Sequence, residues 1–236
     1  MIVVIIKKYK SYNKARTSVI YSKGGRKMKW TRKELKEKAK QSLKAYYWEA
    51  LLAILIAGLL SGGISFKIRR SNYQFTEVTN TIYYFSSFFI LLNIFVLNII
   101  NAGLAKFFIE GEKEDAKMSN LFFFFNKDYY FNAVKIMFFM NLYTFLWSLL
   151  FIIPGIIKSY EYIFIPYLLA ENPNIDMDEV FRETKSMTDG QKWDMFVLDL
   201  SFIGWYFLGS LVIIGQVFVA PYHQATKTQL YLTLKN

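Results

Sequence analysis

The chain has 236 residues, 54% of them hydrophobic and 19% aromatic, with a mean hydropathy of +0.21 and a formal net charge of +11. That is more apolar than a soluble domain, whose apolar share is about 45–50% even with glycine counted. The absence of cysteine excludes disulfides, thiolate metal sites and cysteine nucleophiles.

The apolar residues are clustered. Residues 50–66, 78–105, 136–157 and 200–226 each lack a charged side chain, and a bilayer-spanning helix needs about 20 mostly apolar residues. Backbone polar groups in lipid must be satisfied internally, so such segments are helical. The expectation is an all-α, polytopic transmembrane helical bundle. A soluble all-α protein with buried helices is the alternative, and four such stretches in one small chain disfavour it.

Most of the positive charge lies in residues 1–27. They carry Lys7, Lys8, Lys10, Lys14, Arg16, Lys23, Arg26 and Lys27 and no acid. The apolar run 2–6 is too short for a signal-peptide core and precedes the charges instead of following them. A basic block permits a nucleic-acid arm, but no nucleic-acid partner is expected for a block attached to apolar spans. Back-translated with purine-rich codons, Lys23 to Met28 reads AAA GGA GGA AGA AAA ATG, a bacterial ribosome-binding site ahead of a start codon. The expectation is that Met28 starts the protein, that 1–27 is a non-native or disordered extension, and that 28–236 is a single integral membrane domain. Glycine codons other than GGA or GGG in the genomic DNA would refute this.

A helix is expected directly after Met28. Thr31 is an N-cap with Glu34 three residues on, and Trp30 and Leu35 form a hydrophobic staple. Leu35, Ala39, Leu43 and Tyr46 recur at helical spacing, while Lys33, Lys36, Lys40 and Lys44 line the rest. A basic amphipathic helix before a span predicts a surface-lying helix on anionic lipid. Tyr46, Tyr47 and Trp48 mark the headgroup level.

Segment 1 is placed at 48–66, segment 2 at 82–104 and segment 3 at 134–153, where Pro154-Gly155 breaks the helix. Segment 4, at 156–171, is short and broken by Pro166. Segments 5 and 6, at 194–213 and 216–234, share one charge-free run split at Gly215; the alternative is one long helix to Val219. Six membrane segments are expected, five if that run is not split. Lysine and arginine counts set orientation. Seven in 29–44 place the N-terminus in the cytoplasm, and the cell membrane is the expected location. Lys106, Lys113, Lys117 and Lys127 lie inside, as do Arg182, Lys185 and Lys192. Lys67, Arg69 and Arg70 fall in the first outer loop and run against the rule. Six crossings put the C-terminus inside, five outside.

Between segments 4 and 5, Asp176 reads as an N-cap with Glu179 at N3, Ile175 and Val180 as a staple, and Gly190 as a C-terminal cap. Met177, Val180, Phe181, Thr184 and Met187 form one stripe. This is the second interfacial amphipathic helix, lying on the membrane or on the bundle, with its stripe used for packing or for docking a partner.

The strings "LWSLLFIIPGIIKSYEYIFIPYLLAENPNI", "KSMTDGQKWDMFVLDLSFIGWYFLG" and "VAPYHQAT", with the start "MKWTRKELKEKAKQSLKAYYWEALL", resemble a bacterial membrane family known as domain of unknown function 975. The likeness covers most of 28–236. More distantly, the pattern resembles the membrane domain joined to some bacterial glycerophosphodiester phosphodiesterases. That domain is not the catalytic part, so the resemblance carries over no catalytic residue. It implies a bacterial plasma-membrane protein and lends no activity. The stretch "LFFFFNKDYYF" is more aromatic than the family's pattern, which leaves the shape of the segment 2–3 loop open.

No GxSxG, HExxH, P-loop or GxGxxG is present. His223 is the only histidine; one histidine cannot build a multi-histidine site, and a structural or interfacial role is expected. No cofactor, metal or enzymatic activity is expected. Ionisable residues inside spans are functional suspects. Asp199 leads them, roughly 7.5 Å along a helix from Asp194, and is expected at the interface or paired. Glu161 is three residues from Lys158, which an ion pair explains; Glu49 starts segment 1. Asn93, Asn98, Asn101 and Asn141 read as interhelical glue. Breaks at Pro154, Pro166 and Pro221 free backbone carbonyls that transporters use for ions, though kinks explain them equally.

Three functions fit. The first is a non-enzymatic accessory or scaffold protein in envelope or lipid homeostasis, with membrane lipids and another membrane protein as partners. The second is a small transporter or lipid-handling protein resting on the broken helices and Asp199. An intramembrane enzyme has the least support.

Overall fold

The computed structural model describes residues 20–21, 27–28, 30–60, 92–210 and 215–235. Apart from a two-residue antiparallel pairing of Ile20–Tyr21 with Lys27–Met28, the described chain is helical. The remainder of the leader, the first outer loop with Lys67, Arg69 and Arg70, the far end of segment 1 and the start of segment 2 lie outside the described residues.

Helix α1 spans Arg32–Leu60. Its start is the expected one: the Glu34 amide donates to Thr31 Oγ1 at 3.1 Å, and Trp30 and Leu35 are both buried. The amphipathic helix and segment 1 are one helix, kinked at Tyr46 (φ −136, ψ 30), where neither proline nor glycine marks the spot. The Tyr46 ring packs edge-on against Phe107 and Phe108 and sits where any Cβ on Gly111 would be, 2.6 Å away. Leu35, Ala39, Leu43 and Tyr46 are all buried, as their spacing predicts. What covers them is protein, not lipid.

A π turn, Asn93–Leu97, leads into α2, Asn98–Gly111. The aromatic stretch that departs from the family pattern is a 3₁₀ helix, Met118–Phe125, with Leu121 and Phe124 buried. It lies so close to α2 that a Cβ on Gly103 would meet the Leu121 carbonyl oxygen at 2.0 Å. Asn126 caps α3, Lys127–Leu150, by accepting from the Asp128 amide at 3.3 Å.

The break after α3 is at Phe151, whose backbone is extended (φ −157, ψ 148). It does not fall at Pro154-Gly155, which lie in the first turn of α4, Ile152–Glu161. A first-turn N–H has no intrahelical acceptor, so proline costs nothing there. Gly155 lets α4 fold back on α3, since a Cβ there would lie 2.7 Å from Ser148 Cα. Pro166 behaves the same way: it opens α5, Ile165–Glu171, and the break precedes it at 162–164. Only Pro221 lies inside a helix.

Helix α6, Met177–Thr188, begins at Asp176, which accepts from the Asp178 amide at 2.9 Å. It ends before Gly190, whose φ of 68 is the left-handed conformation that suits glycine. Its stripe lies on the bundle: Val180 and Thr184 are fully buried, with Met177, Phe181 and Met187 packed beside them. Neither amphipathic helix therefore has a free apolar face for the membrane surface.

The last charge-free run is two helices, α7 (Lys192–Ser210) and α8 (Gly215–Lys235); the junction 211–214 lies outside the described residues. In one straight helix, residues 199 and 223 would stand roughly 36 Å apart at 1.5 Å per residue. Here they touch, so the chain reverses and the single long helix is excluded.

Among the described residues, three stretches are long and apolar enough to cross a membrane: Ile94–Gly111, Lys127–Leu150 and Ile152–Glu171. The last is the α4–α5 pair, so expected segment 4 is two short helices. The count of six segments is thus met only in part.

Many of the large exposed hydrophobics lie toward one end of the bundle, though Phe131 and Trp193, at the starts of α3 and α7, are just as exposed. Those at that end include Leu52 and Leu55 of α1, Phe145 to Leu150 of α3, Phe151 to Ile153 at the α3–α4 turn, and Ile203, Trp205, Phe207 and Leu208 of α7. The opposite end carries the ion pairs: Lys192 with Glu161, Lys106 with Glu110, and Lys235 with Glu171. There Trp30 Nε1 donates to Gln191 at 3.0 Å, tying the start of α1 to the α6–α7 turn.

Candidate functional site

Asp199 and His223, the two polar residues that the sequence singles out in the last charge-free run, face one another. His223 Nε2 lies 2.8 Å from Asp199 Oδ1. An ionised carboxylate only accepts, so Nε2 carries the hydrogen. The neutral ring's Nδ1 then accepts from Tyr206, whose hydroxyl is 3.0 Å away. Tyr160 of α4 donates to Asp199 Oδ2 at 3.0 Å, and Lys227 Nζ stands 3.8 Å from the same oxygen. The imidazole stacks on Phe202, ring centres 4.5 Å apart. Asp199 thus points into the bundle between α4, α7 and α8 and not out to the interface.

Helical spacing builds this cluster. Asp199, Phe202 and Tyr206 follow at steps of three and four on α7, and His223 and Lys227 are four apart on α8. That spacing is the signal that could have revealed Tyr206 and Lys227. Nothing local points to Tyr160. Pro221, buried two residues before His223, has no N–H for the carbonyl of Val217.

Beside the pair is a cavity of about 260 Å³, walled by Asn101, Tyr206, His223, Gln224 and the α1 residues Ile54 and Gly58. Its lining mixes hydrogen-bonding and apolar groups. The arrangement can hold or relay a proton between Asp199 and Tyr206 through the ring, or orient a small polar guest.

Glu161 forms a second centre. Its carboxylate meets Lys158 at 2.7 Å, the expected partner, and also Lys192 at the start of α7. Its own carbonyl accepts from the buried Thr184 hydroxyl at 2.8 Å, adding α6 to the junction. Two lysines for one buried carboxylate make this a structural knot. Asn141 donates to Asn98 at 3.1 Å, the interhelical role expected of them. Asn101 faces the cavity instead, and Glu49 is exposed.

Sequence reasoning missed Glu112, just past the end of α2. It accepts from Ser42 (2.8 Å) and Tyr46 (3.1 Å) of α1 and from Gln229 of α8, and no cation pairs with it among the described residues. Burial pushes its carboxyl above the ordinary range, against the smaller pull of those three donors. Among the described residues no group of three or more His, Cys, Asp or Glu side chains is placed to hold a metal ion.

These features define a helical protein with membrane-length apolar stretches, many exposed apolar side chains and an Asp–His centre between its last two described helices. The chain belongs to a protein family of unknown function, DUF975, whose model matches residues 28–159 and 149–236. A comparison with curated proteins returns no match, and neither does one with solved structures.

Proposed function

We propose that this chain is a multi-pass protein of the bacterial plasma membrane that works without catalysis, as an accessory or scaffold in envelope or lipid homeostasis. The observation that carries the reading is the run of exposed apolar side chains through the α3–α4 turn. Phe151, Ile152 and Ile153 are 71%, 77% and 71% exposed, and side chains of that kind in such a patch need lipid or a partner. In this reading the start of α1, with its lysines, faces the cytoplasm, because the positive-inside rule favours that side for a lysine-rich segment. Counting the α7–α8 hairpin as segments 5 and 6, the reading has six crossings. The ionisable residues inside these segments are engaged with protein partners, as scaffold residues would be.

Gentle affinity purification of residues 28–236 from native membranes, with proteins and lipids identified by mass spectrometry, tests this. A stoichiometric membrane-protein partner is the expected result. A lone protein with no partner would overturn it.

The cavity beside His223 favours a second reading, a small transporter coupled through Asp199. In that case Asp199→Asn abolishes flux in proteoliposomes; unchanged flux removes the reading.

A further inference from the structure

A groove of about 620 Å³ runs between α1 and the α7–α8 hairpin, within the roughly 300–1,000 Å³ typical of ligand sites. Lys40 and Lys44 stand at one side of it, one helical turn apart on α1. Tyr47, Trp205, Phe218 and Tyr222 supply much of the remaining wall. From these placements we infer that the groove binds one anionic phospholipid, its phosphate between Lys40 and Lys44 and an acyl chain along Trp205 and Phe218.

Three observations carry this. Like charges four apart on a helix repel, yet neither lysine has an ion-pair partner among the described residues. The acids of the preceding turns are engaged elsewhere, Glu37 with Lys33 and Glu34 with Lys38. Among the described residues, the only charged side chains lining the groove are these two cations, and an anion between them relieves the repulsion.

Next, the tyrosine hydroxyls of the other walls are satisfied by the protein. Tyr47 donates to the Phe218 carbonyl at 3.4 Å and Tyr222 to the Lys36 carbonyl at 3.3 Å. The two ammonium groups are left to recognise a guest, and lysine binds phosphate as a point charge.

Finally, the groove is continuous with the exposed apolar end. Trp205 and Phe218 are 55% and 46% exposed, so the apolar wall opens toward acyl chains while the lysines lie toward the polar end. Tryptophan and tyrosine beside cations suit the headgroup boundary. A free phosphate would leave the apolar wall unfilled, which is why a lipid is the better guest.

The inference rests on the membrane reading above, and the test separates the two. The full chain is reconstituted in phosphatidylcholine vesicles, with brominated acyl chains on either phosphatidylcholine or added phosphatidylglycerol, and tryptophan quenching is followed. Quenching of Trp147, which is exposed and does not line the groove, by brominated phosphatidylcholine reports membrane embedding alone; its absence would sink the membrane reading. The Trp205 contribution is isolated by difference with Trp205→Phe. Brominated phosphatidylglycerol is expected to quench it selectively. Lys40→Gln with Lys44→Gln should cut that selectivity about twenty-five-fold, at about fivefold per lysine, while Lys33→Gln on the same helix leaves it intact. Equal quenching by both lipids, or selectivity surviving the double substitution, would overturn the site. Displacement by inorganic phosphate would show a free-anion site in place of a lipid site.

Discussion

His223 on α8 donates its Nε2 hydrogen to Asp199 on α7 across 2.8 Å, although 24 positions of chain separate them. The pair fixes the register of the α7–α8 hairpin, because sliding either helix by one residue swings its partner off the facing side. Hydrogen bonds to charged groups contribute roughly 1.5–3 kcal/mol. Asp199→Asn should therefore lower stability in detergent by roughly 2 kcal/mol, read by thermal or denaturant unfolding. Combined with His223→Asn, the double-mutant cycle should show a coupling of about 1 kcal/mol or more. Additive single effects would mean that the two residues do not act as a pair.

Glu161 and its two lysines should respond unequally. Removing the carboxylate with Glu161→Gln leaves two partly buried ammonium groups facing each other, at a cost of roughly 3 kcal/mol. Removing Lys192 alone leaves Lys158 in place at 2.7 Å and should cost clearly less. If Lys192→Met proves as damaging as Glu161→Gln, the paired-lysine account fails.

The glycines offer a comparison that needs no charge. Gly103→Ala would drive a methyl into the Leu121 carbonyl at 2.0 Å. That contact is backbone and cannot rotate away, so a loss at the upper end of the roughly 1–3 kcal/mol seen on overpacking is expected. Gly58→Ala meets nothing within 4 Å and should gain roughly 0.5–1 kcal/mol from helix propensity. Melting temperatures that move the same way in both variants would contradict the packing of the 3₁₀ helix on α2.

Glu112 gives the fold a pH dependence of definite sign. Its folded-state carboxyl holds a proton more tightly than the unfolded chain does, chiefly through burial. In the window above the ordinary carboxyl value and below the raised one, the folded state binds more protons. Stability therefore falls as pH rises through that window and levels off beyond it. Glu112→Gln should remove this slope and leave the protein at least as stable as the parent at neutral pH. A pH profile identical in both proteins would refute it.

Local features were legible in the sequence and distant pairings were not. Thr31 with Glu34, the stripe Leu35–Ala39–Leu43–Tyr46, and Asp176 with Gly190 all depend on neighbours within one or two turns, where 3.6-residue spacing is a direct reading of geometry. The exposed apolar run around Phe151 was equally plain. The prolines misled because a first-turn proline and a helix-breaking one look alike in sequence. Pro154 and Pro166 fit helices that had already begun. The partners of α1 and the second lysine on Glu161, Lys192, were hidden for another reason. The lysine face of α1 suggested lipid beneath its apolar stripe, but what lies there comes from Phe107 and Phe108 of α2 and from Tyr222 and Ala225 of α8, beyond the reach of any periodicity.

That last contact sets the order of assembly. Ala225 and Tyr222 close over Ala39, Leu43, Tyr46 and Ala50, so the first long helix to leave the ribosome has its inner face completed by the last one described. At about 5–20 residues per second, translation separates the two by roughly 10–30 s. Throughout that interval the nascent chain carries an uncovered apolar seam that lipid, the insertion machinery or a chaperone must shield. A nonsense codon before residue 215 would leave the seam permanently open, and such truncated chains are expected to be degraded even though the helices before α8 are intact.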